Sequence, residues 1–534
     1  MTCSGGTAAR HLCENDRMAQ TKWEVATTEE APRRSTGQMW LILIATGGVG
    51  VLFAAAAGTH IAVMLALVPM LLTVAMLSPK SLLILLTVWM AELGLIRRVV
   101  PGGSSSSFSG DPLLIVGPAV LFFLIVVAAN GGAFRERGAL AKTVMAFNVV
   151  CVLEALNPKQ GGFTVGLGGL LFVLVPMMAF WIGRSFLEDF EAKTIVKIVA
   201  WLGLFSALYG LFQEFRHFPS WDARWIQTSG YSALNVGNGV VRAFGSSASA
   251  QEYAAFLGVG IVAWLSLLLT SQSRWKLVQL VPIGVIADAL YYEAQRTLLF
   301  MSVFAAAVVV AARFKVRPTG VLLFGALAIM ALPTVASTLG GSSSNCQQGQ
   351  TACQLSQRSN TIANPTGSNT SFSGHLAETR KGVEAAFTRP LGNGVGSTTL
   401  AAARFNTARA GRGTEFDPGN AGTSLGIVGL LLYLVMVYLV FRSCYRAAML
   451  SRDVIGLFAI GIASVDLLQW LNGDLYSVTW LTWLFIGWAE HRARRQDVAE
   501  PIDDPVRIHP STTVANPDLS SLEPAVPVRR SRWS

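Results

Sequence analysis

Residues 422–441 read GTSLGIVGLLLYLVMVYLVF, and the reading of this run decides the fold. It holds no charged side chain, and a helix of about 20 apolar residues crosses a hydrocarbon core about 30 Å thick. A lipid-exposed chain has to satisfy its backbone hydrogen bonds within itself, so the run is expected as a helix; no alternating ten-residue pattern suggests a barrel. The residues just before it are of the opposite kind. From 337 to 421 the chain is polar, with Arg380, Arg389, PLGNGVG at 390–396 and EFDPGN at 415–420. Chemistry at a membrane surface needs polar groups held just outside the hydrocarbon, and this segment supplies them.

Working outward, the same apolar pattern recurs along most of the 534 residues, 52% of them hydrophobic and 13% charged. Such a chain has too little polar surface to cover a soluble globule. The expected architecture is an all-α, polytopic bundle. Spans are expected at 38–58, 61–77, 81–95, 112–129, 143–156, 163–182, 194–212, 250–269, 277–290, 297–312, 321–336, 422–441, 454–471 and 476–488, about 14 by hydropathy, with 12 the lower bound. Residues 1–37 and 491–534 are polar tails, expected to be disordered, around a transmembrane domain at 38–490. The first 37 residues hold no apolar core of the signal-peptide kind, so the first span is expected to serve as insertion signal.

Short loops rich in Lys and Arg are retained in the cytoplasm. Arg135, Arg137 and Lys142, then Arg274 and Lys276, Arg313 to Arg317, Arg442 to Arg452, and Arg492 to Arg495 all fall on one side of these spans. That side is expected to be cytoplasmic, with both termini. Two long loops, 213–249 and 337–421, then lie outside. Arg97 and Arg98 also land outside, so either their segment is re-entrant or they have an external task. The net charge of +10 is read as contact with anionic lipid headgroups rather than with nucleic acid. Cys346 and Cys353 lie close together in the second loop, where an oxidising compartment permits a small disulfide or leaves two free thiols.

Several polar residues carry candidate chemistry. Arg242, in Val241-Arg242-Ala243-Phe244-Gly245, is an external arginine, either a fork for phosphate oxygens of a ligand, one half of a salt bridge, or a lipid-headgroup contact. Arg296 stands at the mouth of a helix pair, where an anion or the nearby Glu293 would pair with it. Gly392, Gly394 and Gly396 form a turn whose backbone amides could approach an anion. Glu415 and Asp417 are either general bases for a sugar hydroxyl or solvated carboxylates. His60, His217 and His375 lack metal-ligand spacing, and neither metal nor cofactor is expected. Asp288, Asp466, Glu92 and Glu154, in or near spans, keep an ion or proton pathway open as an alternative.

The order of these motifs resembles the O-antigen ligase and polymerase superfamily of bacterial envelope glycosyltransferases, over residues 200–445. The resemblance rests on Arg242-Ala243-Phe244-Gly245, Gln295-Arg296-Thr297, the 387–396 run FTRPLGNGVG, and Asp417-Pro418-Gly419-Asn420 followed by SLGIVG at 424–429. It implies a bundle of the C-type glycosyltransferase class in the bacterial inner membrane, acting on a polyprenyl-diphosphate-linked oligosaccharide. Arg242 and Arg296 would clamp the diphosphate, with Arg380, Arg389 and Asn420 as further contacts and Asp417 or Glu415 assisting the acceptor hydroxyl. Ligases of the family carry a His-Asn pair where this chain has Asp417 and Asn420, which points to a polymerase of repeat units. Membrane lipids and other polysaccharide assembly or export proteins are the implied partners. A ligase, a glycan transporter and a non-catalytic scaffold are the competing readings.

Overall fold

The computed structural model describes residues 59–100, 111–135, 138–229, 241–293, 295–317, 371–405, 413–473 and 475–499, with a few positions between 319 and 327. The expected span at 38–58, nearly all of that at 321–336, the cysteines 346 and 353, and nearly all of both expected tails lie outside the described residues. Contacts group the chain into one compact unit, Met1–Arg494, and a second, Arg495–Ser534.

The described chain is mostly helical and holds no β-strand. In order the longer helices are α1 (Thr59–Leu77), α2 (Pro79–Val99), α3 (Leu113–Asn130), α4 (Ala139–Glu154), α5 (Phe163–Phe186), α6 (Asp189–Arg216), α7 (Ser220–Thr228), α8 (Ala250–Thr270), α9 (Leu280–Glu293), α10 (Arg296–Arg313), α11 (Ser371–Thr388), α12 (Leu400–Phe405), α13 (Asp417–Ser451), α14 (Val454–Val465) and α15 (Tyr476–Ala499). Six of them, α3, α5, α6, α8, α10 and α13, are long and apolar enough to cross a membrane. The remaining expected spans that are described are helical too: α1 is long and apolar, α4, α9 and α14 are shorter, and α2 and α15 are more polar.

Local sequence explains where several begin. Ser78 accepts from the Ser81 amide ahead of Pro79, and Asp453 accepts from Gly456 ahead of α14. Ser249 accepts from the Glu252 amide while the Glu252 carboxylate accepts from Ala248, so two otherwise unpaired donors at the start of α8 are satisfied together. α8 is the central helix, packed against α6, α9, α10 and α14. Trp181, Trp470, Trp480 and Trp483 are the bulkiest fully buried side chains. Phe122, Trp201, Leu208, Leu431 and Tyr438 are exposed on the outer face, a distribution suited to lipid rather than water.

Five segments differ from expectation. The span expected at 454–471 leaves the helix at Val465, because the following backbone is drawn away to serve Asp417. The span expected at 277–290 opens with a 3-10 turn, Lys276–Gln279. The segment expected as a loop at 337–421 contains α11 and α12, and that at 213–249 contains α7. α15 continues through Ala499, past the tail boundary expected at 491.

Polar contacts gather at two ends of the bundle. One end joins His60, Arg97, Asp111, Gln160, Asp222, Ser247, Gln295 and the 390–396 turn. The other joins Lys80 to Glu188, Arg184 to Glu490 and Arg492 to Asp189. Each contact connects segments that the alternating spans put on the same side.

Candidate functional site

A cleft of about 340 Å³ opens at the first of these ends. Its walls come from α11 (Glu378), the 3-10 turn Val395–Thr398, the start of α12, residues 413–415, the first turns of α13 and residues 471–473. The lining mixes hydroxyl, amide and carboxylate groups, from Ser397, Thr398, Thr399, Thr414, Gln251, Asn420, Asn472, Glu378 and Glu415, with apolar Val173, Val395, Leu400, Ala421, Leu425 and Leu471.

The wall at α13 follows from a break in that helix. At about 1.5 Å per residue its 35 residues would run roughly 52 Å if straight, longer than a bilayer core requires. Gly426, at φ 67° and ψ −159°, interrupts it. The break frees the carbonyls of Thr423 and Ser424, which accept from the amides of Asn393 and Gly394 at 3.0 Å each; the Ile427 amide donates back to Pro390. The PLGNGVG turn is therefore docked into the interrupted helix. Its amides are committed: Gly392 donates to Arg389, Gly394 to Ser424 and Gly396 to Gln160 Oε1. The expected anion cradle is not formed by these glycines. Their lack of side chains instead lets two backbones meet, since a Cβ on Gly392 would run into the Ser424 carbonyl.

The two carboxylates of the EFDPGN run part company. Glu415 is half-buried and faces the cleft. Asp417 is fully buried and does not line it. Its amide donates to the Leu468 carbonyl at 2.7 Å, and its Oδ2 accepts from the Leu471 amide at 3.0 Å and the Tyr433 hydroxyl at 3.1 Å. Asp417 thus ties the 466–473 loop, whose Leu471, Asn472 and Gly473 line the cleft, to the start of α13. Asn420 lines the cleft as well and folds the loop carrying Glu415, accepting from the Thr414 amide at 2.7 Å and donating to the Thr414 carbonyl at 2.9 Å.

The arginines fall into two groups. Arg242 and Arg296 are both half-buried; Arg242 donates to Gln295 Oε1 at 2.9 Å, next in sequence to Arg296. Arg296 lies within electrostatic reach of both Arg242 and Glu415, and Glu293 accepts from the Gln295 amide. Like charges within reach of one another favour an anion nearby, and Glu415 supplies one to Arg296. Arg380 and Arg389 are elsewhere. Arg380 is exposed and paired with Glu384 along α11 at 2.7 Å, and Arg389 is exposed beside Asn393.

The position of Arg242 depends on a buried frame that also answers the question of Arg97 and Arg98. Arg98 pairs with Asp222 at 3.1 Å, both fully buried, and donates to the carbonyls of Gly245 and Ser247. Asp222 also accepts from Tyr209 and Gln213, whose Oε1 takes the amides of Phe244 and Gly245. This buried network fixes the 243–249 turn that follows Arg242. Arg97 pairs with Asp111, which His60 also contacts.

Sequence reading brought out Glu415, Asn420, Arg242 and Arg296 but not Glu378, Gln251, Asn472 or the 397–399 hydroxyls. Glu378 lies in a polar stretch with no distinguishing spacing, and Asn472 follows an apolar run that reads as unbroken helix. Among the described residues no cluster of His, Cys, Asp and Glu is grouped to hold a metal ion. No protein-family model matches the chain, and no curated protein matches it in sequence.

Proposed function

We propose that this chain is a membrane glycosyltransferase that polymerises polyprenyl-diphosphate-linked oligosaccharide repeat units on the outer side of the bacterial cytoplasmic membrane. The observation that supports this best is the Arg242 and Arg296 pair, in electrostatic contact through Arg296 with Glu415 on the wall of a hydroxyl-lined and amide-lined cleft. A diphosphate supplies the anion that such a pair favours, and the donor's lipid tail stays beside the helices. The cleft is near the lower end of the range of small-molecule sites, about 300–1,000 Å³, a size for a sugar terminus and not for a whole repeat.

In this reading Glu415 accepts the proton of an acceptor hydroxyl as its oxygen attacks the donor's anomeric carbon. The bond from that carbon to the phosphate oxygen breaks, and the polyprenyl diphosphate leaves with the electron pair. Arg242 and Arg296 stabilise the charge that develops there, in a partly dehydrated site where fixed charges act strongly. One displacement inverts the anomeric centre; retained configuration in the product would sink that version.

The test is purified protein with lipid-linked repeat units, scored for a ladder of lengthened chains against a single transfer to another acceptor. Arg242→Ala and Arg296→Ala are each expected to lower elongation by about 100-fold or more, with the variants still eluting as folded protein. Normal long-chain product from both would remove the diphosphate clamp. A single transfer without a ladder would replace polymerase by ligase, and uptake without covalent product would favour a transporter.

A further inference from the structure

We propose that Gln251 orients the sugar in the cleft, its side-chain amide taking two adjacent hydroxyls of the ring. The inference rests on the glycosyltransferase reading, in which that ring is the acceptor terminus and Glu415 receives its proton.

Gln251 is the second residue of α8 and reaches the cleft from the central helix of the bundle, whereas the other polar lining comes from residues 378–473. Its backbone is held on both sides. Ala250 is fully buried in a cluster with Phe244. The Glu252 carboxylate takes the Ala248 amide at 3.0 Å and the Ser477 amide at 2.9 Å, which ties the start of α8 to the start of α15. The 243–249 turn that Arg98 holds runs directly into this helix, and Gln251 follows Arg242 by nine positions. One buried frame therefore places a residue assigned to the donor diphosphate and a residue on the wall of the cleft.

The half-buried Gln251 amide makes no hydrogen bond to another described residue. Several hydroxyls around the cleft are engaged instead. Ser397 donates to the Gly394 carbonyl at 2.7 Å, Thr399 to Gly396 at 3.1 Å, Thr414 to Phe416 at 2.8 Å and Ser424 to Asn420 at 2.6 Å. Each of these oxygens can still accept, but its hydrogen is committed. Gln251 keeps two N–H donors and a carbonyl side by side. Neighbouring hydroxyls of a pyranose match that pair: one accepts from the amide N–H and the next donates to the carbonyl. Two contacts from a fixed helix set the rotation of the ring, and with it the hydroxyl presented to Glu415.

The experiment crosses substitutions in the protein with deletions in the sugar, on full-length, detergent-purified protein, read by ligand-observed NMR titration without turnover. Methyl glucoside, methyl galactoside and methyl mannoside are the probes, followed by the singly deoxygenated forms of whichever binds best. The parent protein is expected to bind at least one glycoside saturably, and removal of either of two adjacent hydroxyls to weaken it about fivefold. Gln251→Met keeps the length of the side chain and removes its polar atoms. It is expected to bind the full glycoside about tenfold more weakly, to bind both deoxy forms within about twofold of the full glycoside, and to unfold at an unchanged temperature. Gln251→Glu keeps the acceptor and loses the donor, so one of the two penalties is expected to persist. No saturable binding of any glycoside, penalties confined to hydroxyls that are not adjacent, or penalties equal in the parent and both variants would each overturn the proposal. Coupling of Gln251 to two hydroxyls without elongation of lipid-linked repeat units would remove the transferase reading and uphold the sugar contact. Elongation with equal penalties would remove this inference alone.

Discussion

Glu415 and Asp417 stand two residues apart and have different surroundings. Glu415 faces the cleft, whereas Asp417 turns inward to Tyr433 and the Leu471 amide. Asp417→Asn keeps an oxygen for both donors, so turnover is expected within about threefold of the parent. Asp417→Ala leaves two buried donors unpaired and is expected to cost about 2–3 kcal/mol, read as a lower unfolding temperature in detergent. Glu415→Gln is expected to leave stability unchanged and to lower elongation by about 100-fold. Loss of turnover in Asp417→Asn together with an active Glu415→Gln would reverse the two roles. At this scale the sequence supplies the residue types but not their directions. Both carboxylates stand at the start of the same helix, and which one faces inward depends on Leu468 and Leu471, about fifty positions further along the chain.

Among the elements, the break in α13 and the docked 390–396 turn form one unit. Gly426 combines a positive φ with a backbone contact that a Cβ would drive into the Pro390 carbonyl. Gly426→Ala is therefore expected to cost at least about 2 kcal/mol, from left-handed strain and overpacking together. Protease cleavage at the 390–396 turn should rise in parallel; an unchanged unfolding temperature would show that the break is not needed. The glycines and the polar start of the helix are visible in the sequence, but their mutual docking is not, because thirty residues separate them. The corner of α1, α2 and α3 offers a pH test. Burial pushes the Asp111 carboxyl up, but the hydrogen bond to His60 and the charge and hydrogen bond of Arg97 outweigh it and hold the group at about 2, below its ordinary 3.8. A depressed carboxyl contributes stability that is present above the ordinary value and lost as pH falls through the lowered one. Unfolding temperature is expected to drop between pH 4 and pH 2, and less steeply in Asp111→Asn.

For the whole molecule, the all-helical, apolar character is the most legible feature, because each span has to solve the same solvation problem by itself. Less legible is how the ends close over, since that depends on polar contacts between distant segments. The two ends carry exposed lysines suited to mapping: Lys159 near the cleft turn and Lys193 near Glu188. In a cysteine-free background, Lys159→Cys is expected to react with an impermeant maleimide in intact cells, and Lys193→Cys only after permeabilisation. The opposite pattern would put the cleft in the cytoplasm and sink the proposed reaction.

The Arg98 network also sets an order of events during synthesis. Arg98 and the Ser247 carbonyl it holds are 149 residues apart, and ribosomes add about 5–20 residues per second. For roughly 7–30 s after α2 leaves the ribosome, its terminal guanidinium has to wait at the lipid headgroups, its stem lying along the helix and its charge in water. The bundle therefore closes around this arginine late, after the start of α8 has been made, and a chain truncated before residue 222 would carry the charge without its partner.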